Sequence, residues 1–264
     1  MFPLTYVEAA VALQKEISRL VVTEGDPSPS LVAGLDAAYA RDGRTVFGAA
    51  ALLAFPSLEL VEGAWAACET AFPYIPGLFA FREGAALVAA LDKLTHAPDL
   101  LIVDGHGVAH PRRCGIASHI GVVTGIPSIG VAKHLLCGTA AMPDEVRGST
   151  APMIENGETI GCAVRTAAGV RPVYVSVGHR TGLAAAVRLV LALSDGYRVP
   201  EPIRAAHALA ARAWEENTSP EGAFISRNSL RGQYERRGRR EGRYDAERDP
   251  EDLGDALCHL RPHP

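Results

Sequence analysis

Residues 98–107 read PDLLIVDGHG. Four consecutive apolar residues, Leu100 to Val103, show no alternation, and the run stops at Asp104-Gly105. A strand of this composition needs cover on both faces, so it predicts a central strand of a sheet flanked by helices. IPSIGVA, residues 126–132, has the same character, and GIASHIGVVTG, residues 115–125, fits a short helix between the two. Upstream, residues 31–71 read as a β-meander. LVAGLDAAYA and RTVFGAAALLAF are joined at Arg41-Asp42-Gly43, a hairpin signal, and Phe55-Pro56-Ser57 turns the chain into LELVEGAWAACET. Residues 82–96 have helical spacing, with Leu87, Leu91 and Leu94 on one stripe. Residues 158–177 predict a hairpin with its turn near Ala168-Gly169, and helices follow at 181–194 and 201–216, with Pro202 in the first turn of the second. Hairpins followed by strand–helix alternation give a mixed α/β sheet.

The bulk numbers are compatible with this. The chain has 264 residues, 48% hydrophobic and 21% charged, enough for one larger globular domain or two small ones. A net charge of −4 does not announce a nucleic-acid partner, which would need a local basic patch. Five cysteines, widely spaced and without a C-x-x-C pair, argue for a reducing compartment and against a structural zinc site. Met1–Leu20 is a mixed, amphipathic segment rather than a targeting signal, and even Leu183–Leu193 carries Arg188, so no run reaches membrane length. The expectation is a soluble, cytoplasmic monomer. From Gly222 the character changes: residues 227–243 hold seven arginines against Glu235 and Glu241, and 245–255 are rich in Asp and Glu. The expected division is a folded domain over 1–221 and a charged, disordered tail over 222–264.

Four groups stand where a structural residue would be apolar. Asp36 lies mid-strand, on the face of Val32, Gly34 and Ala38, and the two small neighbours leave room beside its carboxylate. Asp104 ends the buried strand, where ligands of open α/β sheets collect. Glu83 precedes Leu87 and Leu91 on their stripe, and His207 lies in line with Ile203, Ala210 and Trp214, which predicts an inward-facing imidazole. Each has an ordinary structural reading: a turn acceptor, a turn residue, a helix-dipole partner, a core histidine. Together, three inward carboxylates repel unless a cation or protons intervene, and an oxygen-only donor set suits Mg2+ or Mn2+. Around Asp104, Gly105 and Gly107 permit close backbone approach, while His110, Arg112, Arg113 and His119 are candidate phosphate donors, with Lys133 just past the next buried strand. In FPYIPGLFAFRE, residues 72–83, Pro73 and Pro76 stiffen Tyr74 and Ile75. Such a pair either covers a core edge or acts as a wedge into a base stack.

PYIPGLFAFREG (73–84), VDGHGVAHPRRCGIASHIG (103–121) and IPSIGVAKHLLCG (126–138) closely resemble the signature blocks of endonuclease V. LVAGLDAAYA, IGCAVRT and EPIRAAH fit in the same order, so the resemblance spans residues 8–216 and leaves 222–264 without a counterpart. The resemblance implies a ribonuclease H-like fold and a deoxyribonuclease V activity. Such an enzyme nicks the second phosphodiester 3′ to deoxyinosine, or to inosine in RNA. It implies Asp36 and Asp104 as metal-binding carboxylates for Mg2+, with Glu83, Lys133 and His207 completing the catalytic cluster. Tyr74 would be the wedge, with Ile75, Pro76, Gly77, Gly105, His110, Arg112 and His119 at the nucleic acid. A non-catalytic nucleic-acid-binding descendant and a different ribonuclease H-like nuclease are the competing classes.

Overall fold

The structure, a computed structural model, describes residues 4–41, 43–70 and 72–218. The expectations placed on 222–264 therefore lie outside the described residues. The chain runs α1 (Leu4–Arg19), β1 (Leu31–Tyr39), β2 (Thr45–Ala54), β3 (Leu60–Glu69), α2 (Phe79–Leu91), β4 (Leu100–Asp104), α3 (Ile116–Thr124), β5 (Ser128–Ala132), β6 (Thr139–Ala140), β7 (Thr150–Glu155), β8 (Glu158–Val164), β9 (Val173–His179), α4 (Leu183–Ala192) and α5 (Glu201–Thr218). All nine strands form one mixed sheet in the order β3-β2-β1-β4-β5-β9-β8-β7-β6. The β-meander is there, antiparallel throughout. β4 sits inside the sheet, parallel to both β1 and β5, and Leu100 to Val103 are fully buried. Each such side chain contributes about 1.5–3 kcal/mol by leaving water, which is why this short run anchors the sheet.

The two faces are covered by different helices. Ala33, Leu35, Leu52, Leu101 and Val103 pack with Leu87 and Leu91 of α2 and Ile120 of α3. Val32, Leu100, Ile102, Ile129 and Val175 pack with Leu189 and Val190 of α4 and Ile203 of α5. Small residues set how close the helices come. A Cβ at Gly34 would overlap the Pro202 carbonyl of α5, and one at Gly48 would overlap Ala86 of α2. No helix among the described residues is long and apolar enough to cross a membrane.

Two details differ from the sequence reading. The helix expected over 82–96 starts earlier, at Phe79, and ends at Leu91; Leu94 still packs on the core from beyond it. The expected hairpin is the β8–β9 pair. It continues into β7 and the two-residue β6, which the sequence reading missed. β7 carries Pro152 in TAPMIE, and a proline demotes a run that otherwise reads as strand.

Candidate active site

Asp36 and Asp104 are brought together by register. Gly34 pairs with Ile102 and Leu35 with Val103 across the parallel β1–β4 pair, so the next step aligns the two aspartates on one face. That is the α4–α5 face, and the closeness of α5 at Gly34 brings His207 over the strand end. His207 Nδ1 lies 2.7 Å from Asp36 Oδ2, and Asp36 Oδ1 accepts the Ala37 N–H at 2.8 Å. Lys133, one residue past β5, donates from Nζ to Asp104 Oδ2 at 2.9 Å. Glu83 arrives from the opposite face, one turn into α2, where its carboxylate accepts the Tyr39 hydroxyl.

The electrostatics fit a site built for a cation. Burial pushes the Glu83 carboxyl up to about 7, with Asp36 and Asp104 adding to the rise against the hydrogen bond from Tyr39. Burial, then Asp36, raises Asp104 too, and Lys133 pulls it back. The hydrogen bond to Asp36 raises His207 against the effect of burial. Burial works against the Lys133 ammonium, but the attraction and hydrogen bond of Asp104 outweigh it. Among the described residues no three such groups converge into a ready-made metal shell. The three carboxylates nevertheless feel one another; Lys133 and His207 answer Asp104, and Arg82 answers Glu83. A set of mutually repelling carboxylate oxygens suits a hard divalent cation.

His207 departs from the expectation of an inward-facing ring. Its side chain is 67% exposed while Asp36 beneath it is 12% exposed. Ile203 and Ala210 on its stripe are buried; the ring itself leans over the sheet end toward Asp36.

The loop over residues 72–78 is a rigid corner. Leu78 N–H bonds Ile75 O at 2.9 Å and Gly77 has φ of +78°, the type II turn that Pro at its second and Gly at its third position favour. Tyr74 is 54% exposed and meets Phe79 edge-on at 5.1 Å between ring centroids. Behind it, Arg82 bonds Phe72 O at 2.5 Å and Gly43 O at 2.6 Å and covers the Tyr39 ring.

The expected phosphate donors are engaged elsewhere. His110 is 1% exposed; its Nε2 donates to Gly77 O at 2.9 Å and its Nδ1 accepts Arg112 N–H at 3.1 Å. Burial, then Arg112, holds its ring down to about 3, so it is neutral. Arg112 Nη2 also donates to Gly77 O, at 2.9 Å. Arg113 pairs with Glu155 at 2.5 Å and Glu158 at 2.9 Å. His119 stands edge-on to Phe81 at 5.3 Å, and burial lowers its pKa. These groups build the walls instead of offering free charge, because each is covered by an element distant in sequence. Gly105 and Gly107 do what their type predicts: Gly105 has φ of +139°, and a Cβ at Gly107 would overlap Val177 O.

Three supporting residues escaped the sequence reading. Tyr39 holds Glu83, and period 2 from Asp36 puts it on the other face, the one α2 covers. Arg198 bonds the Lys133 carbonyl at 2.9 Å. Gln14 is buried on the stripe of Ala10 and Ile17, a polar residue on an apolar face.

A profile of the Endonuclease V family matches residues 13–208. An endonuclease V from Roseiflexus sp. (strain RS-1) is 51% identical over 208 residues, 78% of this chain and 93% of that one. The crystal structure of endonuclease V from Streptomyces avermitilis superposes with a TM-score of 0.77 at 46% identity, covering 80% of this chain and 94% of that one. Endonuclease V from Ciona intestinalis, in complex with a 23-mer DNA containing an inosine followed by a ribo-adenosine, superposes with a TM-score of 0.73 at 25% identity, covering 82% of this chain and 100% of that one.

Proposed function

The chain belongs to the endonuclease V family, and from that membership we propose that it nicks nucleic acid at deaminated adenine, with deoxyinosine in DNA as its substrate. It is a nuclease, a hydrolase acting on DNA. The observation that carries the reading is the meeting of Asp36, Glu83 and Asp104 with Lys133 and His207 at one end of β1 and β4. We take 1–221 as the nuclease domain and the chain as a cytoplasmic monomer.

The bond cut is the second phosphodiester 3′ to the deaminated base. Water adds to phosphorus, the bond to the 3′-oxygen breaks, and the products carry a 3′-hydroxyl and a 5′-phosphate. Asp36 and Asp104 would hold Mg2+, or Mn2+, which when bound supplies Lewis-acid polarisation of the phosphate and charge stabilisation at the leaving oxygen. Asp36 fixes His207 through Nδ1, which leaves Nε2 to hold or pass the proton shed by the attacking water. Glu83, with a carboxyl near neutrality, orients that water. The Lys133 ammonium offsets charge as it builds on the phosphate.

Recognition falls to the loops. Tyr74, stiffened with Ile75 by Pro73 and Pro76, enters the stack as the base leaves it. Gly77 and Gly105 let backbone approach the extracted base. Hypoxanthine presents an O6 acceptor and an N1–H donor where adenine has the reverse, so a pocket matched to one penalises the other by about 1–3 kcal/mol for each unsatisfied group.

The test is strand nicking on an end-labelled duplex with one central deoxyinosine, beside a matched inosine RNA, in Mg2+ and in EDTA. The expected result is a Mg2+-dependent nick at the second bond 3′ to the inosine, lost in Asp36→Ala. Binding without any cleavage would move the chain to the non-catalytic class. The RNA arm matters because the DNA bound by the Ciona protein carries a ribo-adenosine after its inosine.

A further inference from the structure

Gln14 stands in the middle of α1 between exposed Leu13 and Lys15, yet is itself 1% exposed. Its amide makes three hydrogen bonds to segments far away in sequence. Nε2 donates to Gly77 O at 3.0 Å and to Cys114 O at 2.5 Å, and Oε1 accepts Arg112 Nε at 2.5 Å. The amide's orientation is assigned by its partners: flipped, it would set an oxygen against two carbonyls and an NH2 group against an N–H. The Gly77 carbonyl thus receives three donors, from Gln14, His110 and Arg112, on an oxygen with two lone pairs. A side chain at Gly77 would be strained at φ of +78° and would crowd this pin, its Cβ lying 3.0 Å from Arg112 Nη2 and 3.1 Å from His110 Nε2.

What this carbonyl fixes is the corner between Tyr74 and α2. Gly77 is the left-handed residue of the Ile75–Leu78 turn. α2 starts two residues later without a side-chain cap at Leu78, and carries Glu83 in its second turn. One pin therefore sets the direction of the Tyr74 segment, while Glu83, a turn further along α2, is held separately by the Tyr39 hydroxyl. The same amide, through Cys114 and Arg112, ties that corner to the end of the 105–114 loop. Buried polar groups satisfied in this mutual way hold one geometry, because releasing any partner strands the others.

We propose that Gln14 is a positioning residue that locks the Tyr74 corner to the 105–114 loop and so sets the enzyme's ability to open a duplex at inosine. The inference rests on the wedge role given to Tyr74. It predicts an effect confined to substrates that must be unstacked, since an inosine in a single strand needs no duplex opened.

The experiment compares the full chain with Gln14→Met, which keeps the volume, and Gln14→Glu, which keeps the acceptor for Arg112 but loses both donated bonds. Amide hydrogen exchange is followed over residues 72–81, and single-turnover cleavage is measured on inosine in duplex and in single-stranded DNA. Each variant is also made in a Tyr74→Ala background. Both variants are expected to speed exchange at 74–79 about tenfold, with β4 and β5 unchanged, and to lower the duplex-to-single-strand rate ratio about tenfold. In the Tyr74→Ala background the ratio falls no further, the signature of two residues acting through one element. Unchanged exchange in the loop, or an equal loss on both substrates, would overturn the inference. If the parent cuts neither substrate, the functional reading has failed instead, and the exchange arm alone decides whether Gln14 holds the corner.

Discussion

His207 Nδ1 meets Asp36 Oδ2 at 2.7 Å across 171 residues of chain, and Gly34, two residues before Asp36, makes the meeting possible. α5 can lie on β1 only because Gly34 has no Cβ to strike the Pro202 carbonyl. Gly34→Ala should therefore lift the start of α5 and pull the imidazole off the aspartate. Overpacking at such a contact costs about 1–3 kcal/mol. The expected outcome is that loss in urea unfolding, with cleavage of inosine DNA reduced far more than the folded fraction. Parent-like stability and parent-like cleavage together would show that the close approach does not set the site.

Glu83 lies where its charge is unwelcome in the metal-free protein. Burial, together with Asp36 and Asp104, holds its carboxyl up near 7, against an ordinary value of 4.5. A group raised in the folded state favours folding less as it ionises, so metal-free stability should decline as pH rises from about 4.5 to about 7. Glu83→Gln keeps an acceptor for Tyr39 and removes that decline. In EDTA at pH 8 the variant should be more stable than the parent by about 2–3 kcal/mol, shrinking toward zero near pH 5, while cleavage in Mg2+ is lost. Chemical unfolding at the two pH values decides it, and a variant less stable at both would refute the expectation.

Tyr39 orients Glu83 and touches nothing that reacts. Its hydroxyl donates to the Glu83 carboxylate, and burial followed by that neighbouring charge raises the phenol well above its ordinary value. Tyr39→Phe keeps the ring under Arg82 and removes the bond. The loss expected is about 1 kcal/mol of stability and about tenfold in kcat, with KM unchanged. A change confined to KM would place Tyr39 in substrate binding instead.

At the far side of α2, Glu62 of β3 receives the Thr95 hydroxyl at 2.6 Å, Thr95 N–H at 2.9 Å and the His96 ring at 3.1 Å. Burial opposes its ionisation, but these bonds outweigh it and hold its carboxyl down to about 2. A depressed group contributes stability above its unfolded value, and the contribution fades as pH falls from about 4.5 toward 2. Glu62→Gln should cost about 1 kcal/mol at pH 7 after allowance for screening at this surface site. The gap should narrow when unfolding is repeated at pH 3.5. Cleavage at pH 7 should be unaffected, and a constant gap down to pH 3.5 would exclude the ionised carboxylate as its source.

The sheet and its two aspartates were legible because both are local. An unbroken apolar run ending in Asp104 and a period-2 strand holding Asp36 need no distant partner to be recognised, and parallel register then aligned them. The burial of His207 was misjudged because helical periodicity gives a face but not how far a side chain at its edge leans out. Likewise His110 and Arg112 look like free donors in sequence, whereas their partners are the Gly77 carbonyl and Gln14, 33 and 98 residues away respectively. β7 was hidden by Pro152, which a strand near the sheet edge tolerates. For His110, Arg112 and Gln14, what stayed unread was a contact that only the fold creates.

Tyr74 offers the plainest separation of stability from function. A core cover would be buried, yet 54% of this residue is exposed and its ring leans on Phe79 at 5.1 Å. Tyr74→Ala removes one edge-on aromatic contact, worth about 0.5–1.5 kcal/mol. If the ring serves as a wedge, the loss in duplex cleavage must exceed that figure, because the gap left by an extracted base goes unfilled. Tyr74→Phe should retain most of the activity, since an apolar face and not a hydroxyl fills the gap. The measurement is single-turnover cleavage of duplex inosine DNA for both variants beside thermal unfolding. A Tyr74→Ala protein that cuts the duplex as the parent does would return this residue to the role of surface cover.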